Sequence, residues 1–431
     1  MDNFLPSELL NRLEEIGEAE IVVGIPSYNN ARTIGRVVRA VSAGLTKYFP
    51  ERKAIIVNSD GGSKDGTREA ALEAEVDHDA LLQVSHPVHP IQRISTPYHG
   101  LPGKGSAFRT IFALAKKTKA KACVVVDADL RSISPQWIEL LAKPVLERDF
   151  DYIAPYYLRH KYDGTITNGI IYPLTRALFG KRVRQPIGGE FGVSGRLAAQ
   201  YLEKDVWETD VARFGVDIWM TATAIAEGFR VGQSYLGAKL HDAKDPGADL
   251  SSMFCQVVGA VFALMETYQP VWEKTNGSEP VPMFGFPFEV GVEPITVNVE
   301  RLIKAHCQGV SDLREIYEGF LTPETLLALD ASVKQSPDDF RIPDGLWVRV
   351  IYEFAAAWRH RALDREHLLQ SLVPLYLGRT ASFMLEVRES SALEVEERIE
   401  QLCNLFEAEK PYLVRCWNAA VGKEQTHAKS G

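Results

Sequence analysis

Short apolar runs closed by polar turn residues set the rhythm of the first half of the chain. Ile21 to Pro26, Ala54 to Asn58 and Ala122 to Val126 are too short for helices and rich in β-branched residues, and the segment from Asp151 and Val231 to Leu240 are strand-like as well. Such runs predict strands buried on both faces. Segments of helical periodicity fall between them: Ser7 to Ile16, Ala31 to Leu45, Arg68 to Glu75, Phe108 to Lys117, Gly169 to Phe179 and Ile218 to Gly228. This alternation is that of a doubly wound α/β domain with a mostly parallel sheet. From Pro280 to Pro294 prolines forbid a continuous helix and predict a linker or covering loop. Beyond it, helices are expected over Ile295 to Gly319, Pro323 to Lys334, Gly345 to Arg361, Asp364 to Leu377 and Ala392 to Phe406. Trp347, Val350, Ile351, Phe354 and Trp358 recur at helical spacing and read as core.

The resulting division is a catalytic domain over 1–265, with a donor half at 20–130 and an acceptor half at 131–265, a linker at 266–294, an α-helical domain at 295–421 and a flexible tail at 422–431. The helical domain is also the candidate surface for a homodimer. A net charge of −9 without a basic stripe excludes a nucleic-acid footprint, while local positive charge still allows an anionic substrate. No apolar run approaches the roughly 18 residues of a membrane span, and the N-terminus has no signal-peptide pattern. Five dispersed cysteines read as free thiols in a reducing compartment, and a cytoplasmic protein is expected.

The chemistry gathers where strands end. Asp127 and Asp129 follow the Ala122–Val126 run, at the edge where open α/β sheets place their ligands. If the strand continued through them, both side chains would point the same way and converge on one Mg²⁺ or Mn²⁺ that also holds a diphosphate. D-x-D alone is common by chance; the other loops give it weight. Pro26 and Asp60 also follow buried strands, and 59–67 is built of turn residues. Gly103-Lys104-Gly105 before a helix is an anion cradle with a full positive charge, and is not the P-loop pattern.

The series Val23-Gly24-Ile25-Pro26-Ser27-Tyr28-Asn29-Asn30, Asp60-Gly61-Gly62-Ser63-Lys64-Asp65-Gly66-Thr67, Gly103-Lys104-Gly105 and Asp127-Ala128-Asp129 resembles the GT-A nucleotide-sugar glycosyltransferases. Gln185-Pro186-Ile187-Gly188-Gly189-Glu190, Phe214-Gly215-Val216-Asp217-Ile218-Trp219 and Lys239-Leu240-His241 narrow the resemblance to the mannosylglycerate and glucosyl-3-phosphoglycerate synthases, over residues of about 20–260. It implies a retaining transfer of mannose or glucose from a GDP- or UDP-linked sugar to D-glycerate or 3-phosphoglycerate. Pro26, Tyr28, Asn30 and Asp60 would then meet the nucleotide, with Lys104 near its phosphates and Gly188 and Gly189 lining the donor site. Asp129 and His241 would hold the metal, with Asp127 placing donor and metal. Without the resemblance, a lone histidine after a strand is as a rule structural.

In the acceptor half, Arg159, His160 and Lys161 precede Thr165, Thr167 and Asn168 at a predicted helix start. Cations and hydroxyls there suit a small carboxylate, or merely form a basic surface with a cap. The phosphoglycerate enzymes typically carry Gly-Gly-Arg ahead of the threonine; here Asp163-Gly164-Thr165 lacks the arginine, which favours free glycerate. Glu190 reads as a buried carboxylate shaping the sugar pocket or as a turn-stabilising acid. Asp217 reads as a carboxylate near the reacting centre or as an N-cap. With Asp127 they are the candidate catalytic residues. The alternatives are transfer to 3-phosphoglycerate, a family-2-like transferase on a lipid or polysaccharide acceptor, a nucleotidyltransferase, and a non-catalytic nucleotide-sugar-binding protein.

Overall fold

A computed structural model describes residues 5, 7–74, 92–97, 103–209, 215–240, 250–287 and 295–419. Ten strands occur among them: β1 (Ile21–Ser27), β2 (Ala54–Asp60), β3 (Gln92–Pro97), β4 (Ala122–Val125), β5 (Tyr152–Leu158), β6 (Lys181–Arg182), β7 (Phe191–Ser194), β8 (Val231–Ala238), β9 (Glu279–Pro280) and β10 (Met283–Phe284). Eight form one sheet in the order β10-β8-β5-β7-β4-β1-β2-β3, and β6 pairs with β9 in a second. All neighbours in the large sheet run parallel except β7, which is antiparallel to both β4 and β5. The expected mostly parallel α/β sheet is therefore present.

Its strands lack polar alternation because helices cover both faces. Ile21, Val23 and Ile25 share one core with Ile34, Val37 and Val41 of the Ala31–Tyr48 helix and Ile138 and Leu141 of the Pro135–Arg148 helix. Gly24 faces the other way, against Ile111 of the Lys104–Lys117 helix. Cys123 packs in the core within β4, where burial pushes its thiol up to about 12. All five cysteines are free.

The chain folds into two units, and both are discontinuous. The sheet unit comprises 1–160, 181–243 and 279–294, and the helical unit comprises 161–180, 244–278 and 295–431. The proposed acceptor half is thus shared between them. The stretch expected as a linker supplies β9 and β10, and β10 becomes the sheet's edge strand beside β8. In the helical unit, buried Arg176 reaches Glu400, Glu407 and Asn404, tying the Tyr172–Phe179 helix to the Ala392–Ala408 helix. The helix expected to stop at Leu377 runs from Arg365 to Glu386. Gly378 does not end it: a Cβ there would lie 2.3 Å from the His306 ring, so the glycine permits a close crossing. Among the described residues no helix is long and apolar enough to cross a membrane.

The reversed strand β7 is the tightest point of the sheet. A Cβ on Gly192 would lie 2.1 Å from the Leu141 carbonyl oxygen, which cannot swing aside as a side chain can. Gly192→Ala should therefore destabilise the protein by about 2–3 kcal/mol, measured by urea denaturation.

Candidate active site

Strand direction decides which residues meet. The carboxyl ends of β1, β2, β4, β5 and β8 open on one edge. Because β7 is antiparallel, its amino end lies there as well. Val125 pairs with Phe191, so Glu190, one residue earlier, sits beside the chain leaving β4. Leu158 pairs with Ala238, which sets Arg159 and Lys239 side by side at the same edge.

Asp127 stands at the centre. Its Oδ1 takes the Lys104 ammonium at 2.7 Å and its Oδ2 takes Lys239 at 3.0 Å. Lys239 donates further to Glu190 Oε1 at 2.9 Å and to the Gly188 carbonyl at 2.8 Å. Lys104 also reaches Asp217 Oδ2 at 3.4 Å. Tyr157 donates its hydroxyl to Glu190, and its ring lies 5.5 Å from the Lys239 ammonium. Glycine at 189 is required twice over. Its φ is +94°, and a Cβ would fall 2.3 Å from Asp127 Oδ2.

Burial opposes ionisation of Asp127, yet Lys104 and Lys239 hold its carboxyl well below the usual range. Burial likewise works against the lysine charges, but the carboxylates beside them raise both above the ordinary lysine value. Glu190 goes the other way: burial, with the Asp127 charge adding to it, pushes it up to about 7 against the pull of Lys239. Burial also raises Asp217, opposed by Lys104. Asp217 Oδ1 is buried and has no hydrogen-bond partner among the described residues.

Lys104, Asp127, Gly188, Gly189, Glu190 and Asp217 are brought together as the sequence suggested, with three differences. Strand β4 ends at Val125, so Asp127 and Asp129 lie in the following turn, and strand alternation does not align them. Lys104 is the first residue of its helix and not part of a preceding loop. Asp217 is the second residue of the Val216–Ala226 helix, whose cap is Gly215, so it is no N-cap.

Among the residues expected to meet a nucleotide, Tyr28 is 63% exposed, and the Asn30 side chain accepts from the Tyr28 amide. Pro26 lies near the end of β1. Asp60 is buried, accepting from the Gly62 and Ser63 amides and the Ser27 hydroxyl, and so it orders its own loop. Arg159 lies in the sheet unit with its guanidinium 5.5 Å from the Tyr157 ring. Thr165, Thr167 and Asn168 belong to the helical unit, where Thr165 shares a hydrogen bond with the Tyr376 hydroxyl and Asn168 donates to the Asp163 carbonyl. His241 and the tail beyond Ala419 lie outside the described residues. Sequence reasoning missed Lys239 and Tyr157; the position of Lys239 directly after a buried strand was the available signal.

Residues 52–263 match the family model "Mannosylglycerate synthase, GT domain", a span that contains every member of the cluster. The chain is 26% identical over 275 residues to the glucosyl-3-phosphoglycerate synthase of Petrotoga mobilis, covering 60% of this chain and 77% of that protein. Over these spans the chain is similar to such synthases. Crystal structures of the Mycobacterium tuberculosis glucosyl-3-phosphoglycerate synthase are 22% identical, with TM-scores of 0.43. One, with Mn²⁺, UDP and glucosyl-3-phosphoglycerate, aligns with 60% of this chain and 85% of that one. Another, with Mn²⁺, UDP-glucose and phosphoglyceric acid, aligns with 61% and 85%. The cluster lies within the span that the family model matches.

Glu190 gives the site a pH signature. Its ordinary value is 4.5 and its folded value about 7, so between these the folded protein keeps a proton that the unfolded chain has released. Stability from this group falls as pH rises through that window. Glu190→Gln should remove the fall, gaining up to about 3 kcal/mol on wild type between about pH 5 and pH 8 in urea titrations.

Proposed function

We propose that this chain is a metal-dependent, retaining glycosyltransferase. It moves a hexose from a nucleotide diphosphate sugar to D-glycerate or a similar small acid. The observation that carries the reading is the Lys104–Asp127–Lys239 array at the sheet edge, inside a domain matching the mannosylglycerate synthase family. Two ammonium groups fixed by one carboxylate are preformed donors for a departing diphosphate. They need no reorganisation as its charge develops.

No group of three or more metal-ligating side chains occurs among the described residues, but one carboxylate is open to a divalent cation. Asp129 is half-buried in the turn after Asp127 and makes no hydrogen bond or ion pair with another described residue, leaving a hard oxygen donor available. Both Asp127 oxygens are occupied by lysines. Asp129 therefore holds the Mn²⁺ or Mg²⁺, with His241 as the proposed second protein ligand. When bound, the metal supplies Lewis-acid neutralisation of the diphosphate.

The side chains divide the remaining work. Lys104 and Lys239 receive the leaving group's charge, and Asp217 Oδ1, buried without a partner, is the acceptor for a sugar or substrate hydroxyl. Glu190, fully buried and accepting from Tyr157 and Lys239, fixes the position of the Lys239 ammonium. Pro26, Tyr28, Asn30 and Asp60 form the nucleotide end, with Gly188 and Gly189 on the donor side. Arg159, Thr165, Thr167 and Asn168 are the residues that the sequence offers for the acceptor carboxylate. The two-carboxylate scheme with a covalent intermediate needs a free nucleophile about 5 Å from an acid. Asp127, with both oxygens on ammonium groups, is not one. The acceptor hydroxyl attacks from the face the diphosphate leaves, and its proton passes to the departing phosphate. The missing arginine before Thr165 favours glycerate over 3-phosphoglycerate.

A matrix of GDP-mannose, GDP-glucose and UDP-glucose against D-glycerate and 3-phosphoglycerate, with and without Mn²⁺ or Mg²⁺, tests this reading. Product is expected with glycerate and metal; no glycosylated product in any combination would refute it. In the active combination, Asp129→Ala should lower kcat/KM by about 10²–10³-fold. Thr167→Ala should raise KM for the acceptor about tenfold or more while leaving donor KM within about twofold. Equal effects on both substrates would remove Thr167 from the acceptor site.

A further inference from the structure

The pairing of β5 with β8 breaks register beside the active edge. Residues pair evenly from Tyr152 with Val231 to Tyr156 with Tyr235, but Tyr157 then pairs with Gly237. Leu236 is the extra residue, and Gly237 follows it with a φ of +81°, a backbone that favours glycine. Such bulges recur where a side chain is re-aimed next to an active site. A shift of one residue exchanges the two faces of a strand. Even pairing would have put Lys239 level with residue 160, on the face opposite Tyr157. With the bulge, Tyr157, Arg159 and Lys239 share one face.

Tyr157 is buried and held from two sides. The Trp137 ring of the Pro135–Arg148 helix packs on it, with centroids 5.5 Å apart, and Gln185 Nε2 donates to its carbonyl at 3.0 Å. The Lys239 ammonium and the Arg159 guanidinium both lie over its ring, each 5.5 Å from the centroid. Both are within the roughly 6 Å reach of a cation–π contact. The phenol donates to Glu190, whose two oxygens take Lys239 at 2.9 and 3.0 Å. One fixed ring therefore touches a cation from the donor side and a cation offered to the acceptor, and its hydroxyl adds a second hold on Lys239 through Glu190.

We propose that Tyr157 is a positioning residue, which sets the spacing between the donor-side ammonium of Lys239 and the acceptor-side guanidinium of Arg159. It acts through those two groups and Glu190 and touches neither substrate. The inference rests on the transferase reading and deepens it. Two cations drawn to one rigid ring cannot drift independently, so the diphosphate and the acceptor carboxylate that they serve keep a constant separation. A displacement of about 1 Å between reacting groups is enough to slow a reaction severely, and this spacing guards against it.

Steady-state transfer by the full chain tests this, comparing wild type, Tyr157→Phe and Tyr157→Leu. Tyr157→Phe keeps the ring and loses the hold on Glu190. It should lower kcat about tenfold at about pH 7 and leave both KM values within about twofold. Glu190 is faced by Lys239, Asp127 and the phenol; burial pushes it up to about 7, while the phenol favours its ionised form. Losing the phenol raises Glu190 further, so the kcat deficit should shrink between about pH 7 and pH 9, which a packing defect would not do. Tyr157→Leu removes the ring as well and should in addition raise the acceptor KM about tenfold. Tyr157→Phe, which keeps the packing, decides the case if Tyr157→Leu does not fold. Wild-type kcat in Tyr157→Phe, a deficit unchanged by pH, or the same acceptor KM in both variants would overturn the proposal and leave the transferase reading standing. A wild type that forms no product would refute that reading and this role with it.

Discussion

One carboxylate shared by two ammonium groups is the interaction on which the active edge depends. Isolated charges at that depth would be costly to desolvate, and each lysine is tolerable only because Asp127, Glu190 and Asp217 surround it. The backbone is shaped around the contact. The positive φ and missing side chain of Gly189 let the 188–190 turn come against Asp127, and the reversal of β7 delivers Glu190 to the same edge. Five side chains from five separate chain segments are held in register by the sheet, which is what a site needs if its electrostatics are to be fixed before substrate arrives.

The charge balance of this array bears on its chemistry. Three carboxylates face two lysines, and the excess negative charge is relieved by the carboxyl easiest to protonate. Burial makes that group Glu190, while Asp127 stays ionised between its two cations. Acid and base characters are thereby separated among neighbouring residues by environment alone.

Much of the fold was legible because buried parallel strands and their helices leave strong patterns: β1, β2, β4 and β8 lie where the apolar runs placed them. What sequence could not show was direction. Nothing local says that β7 runs backwards, so the meeting of Glu190 with Asp127 came from a motif and not from pattern. Lys239, which stands within a motif, received no site role because its partners lie 49 and 112 residues away in the chain. The D-x-D spacing suggested two carboxylates acting together, but the turn separates their tasks: Asp127 is committed to lysines and Asp129 is left available. The proline-rich stretch after residue 279 concealed an edge strand because two-residue pairings carry no periodicity.

The central claim is that Lys104 and Lys239, organised by Asp127, form the seat of a nucleotide diphosphate. Calorimetric titration of the intact protein with UDP and with GDP in the presence of Mn²⁺ tests it most directly, using wild type and Lys104→Met. The account predicts that wild type binds at least one of the two nucleotides and that the variant binds it at least about tenfold more weakly, a loss of about 1.4 kcal/mol. Binding of neither nucleotide, or equal binding by both proteins, would contradict it.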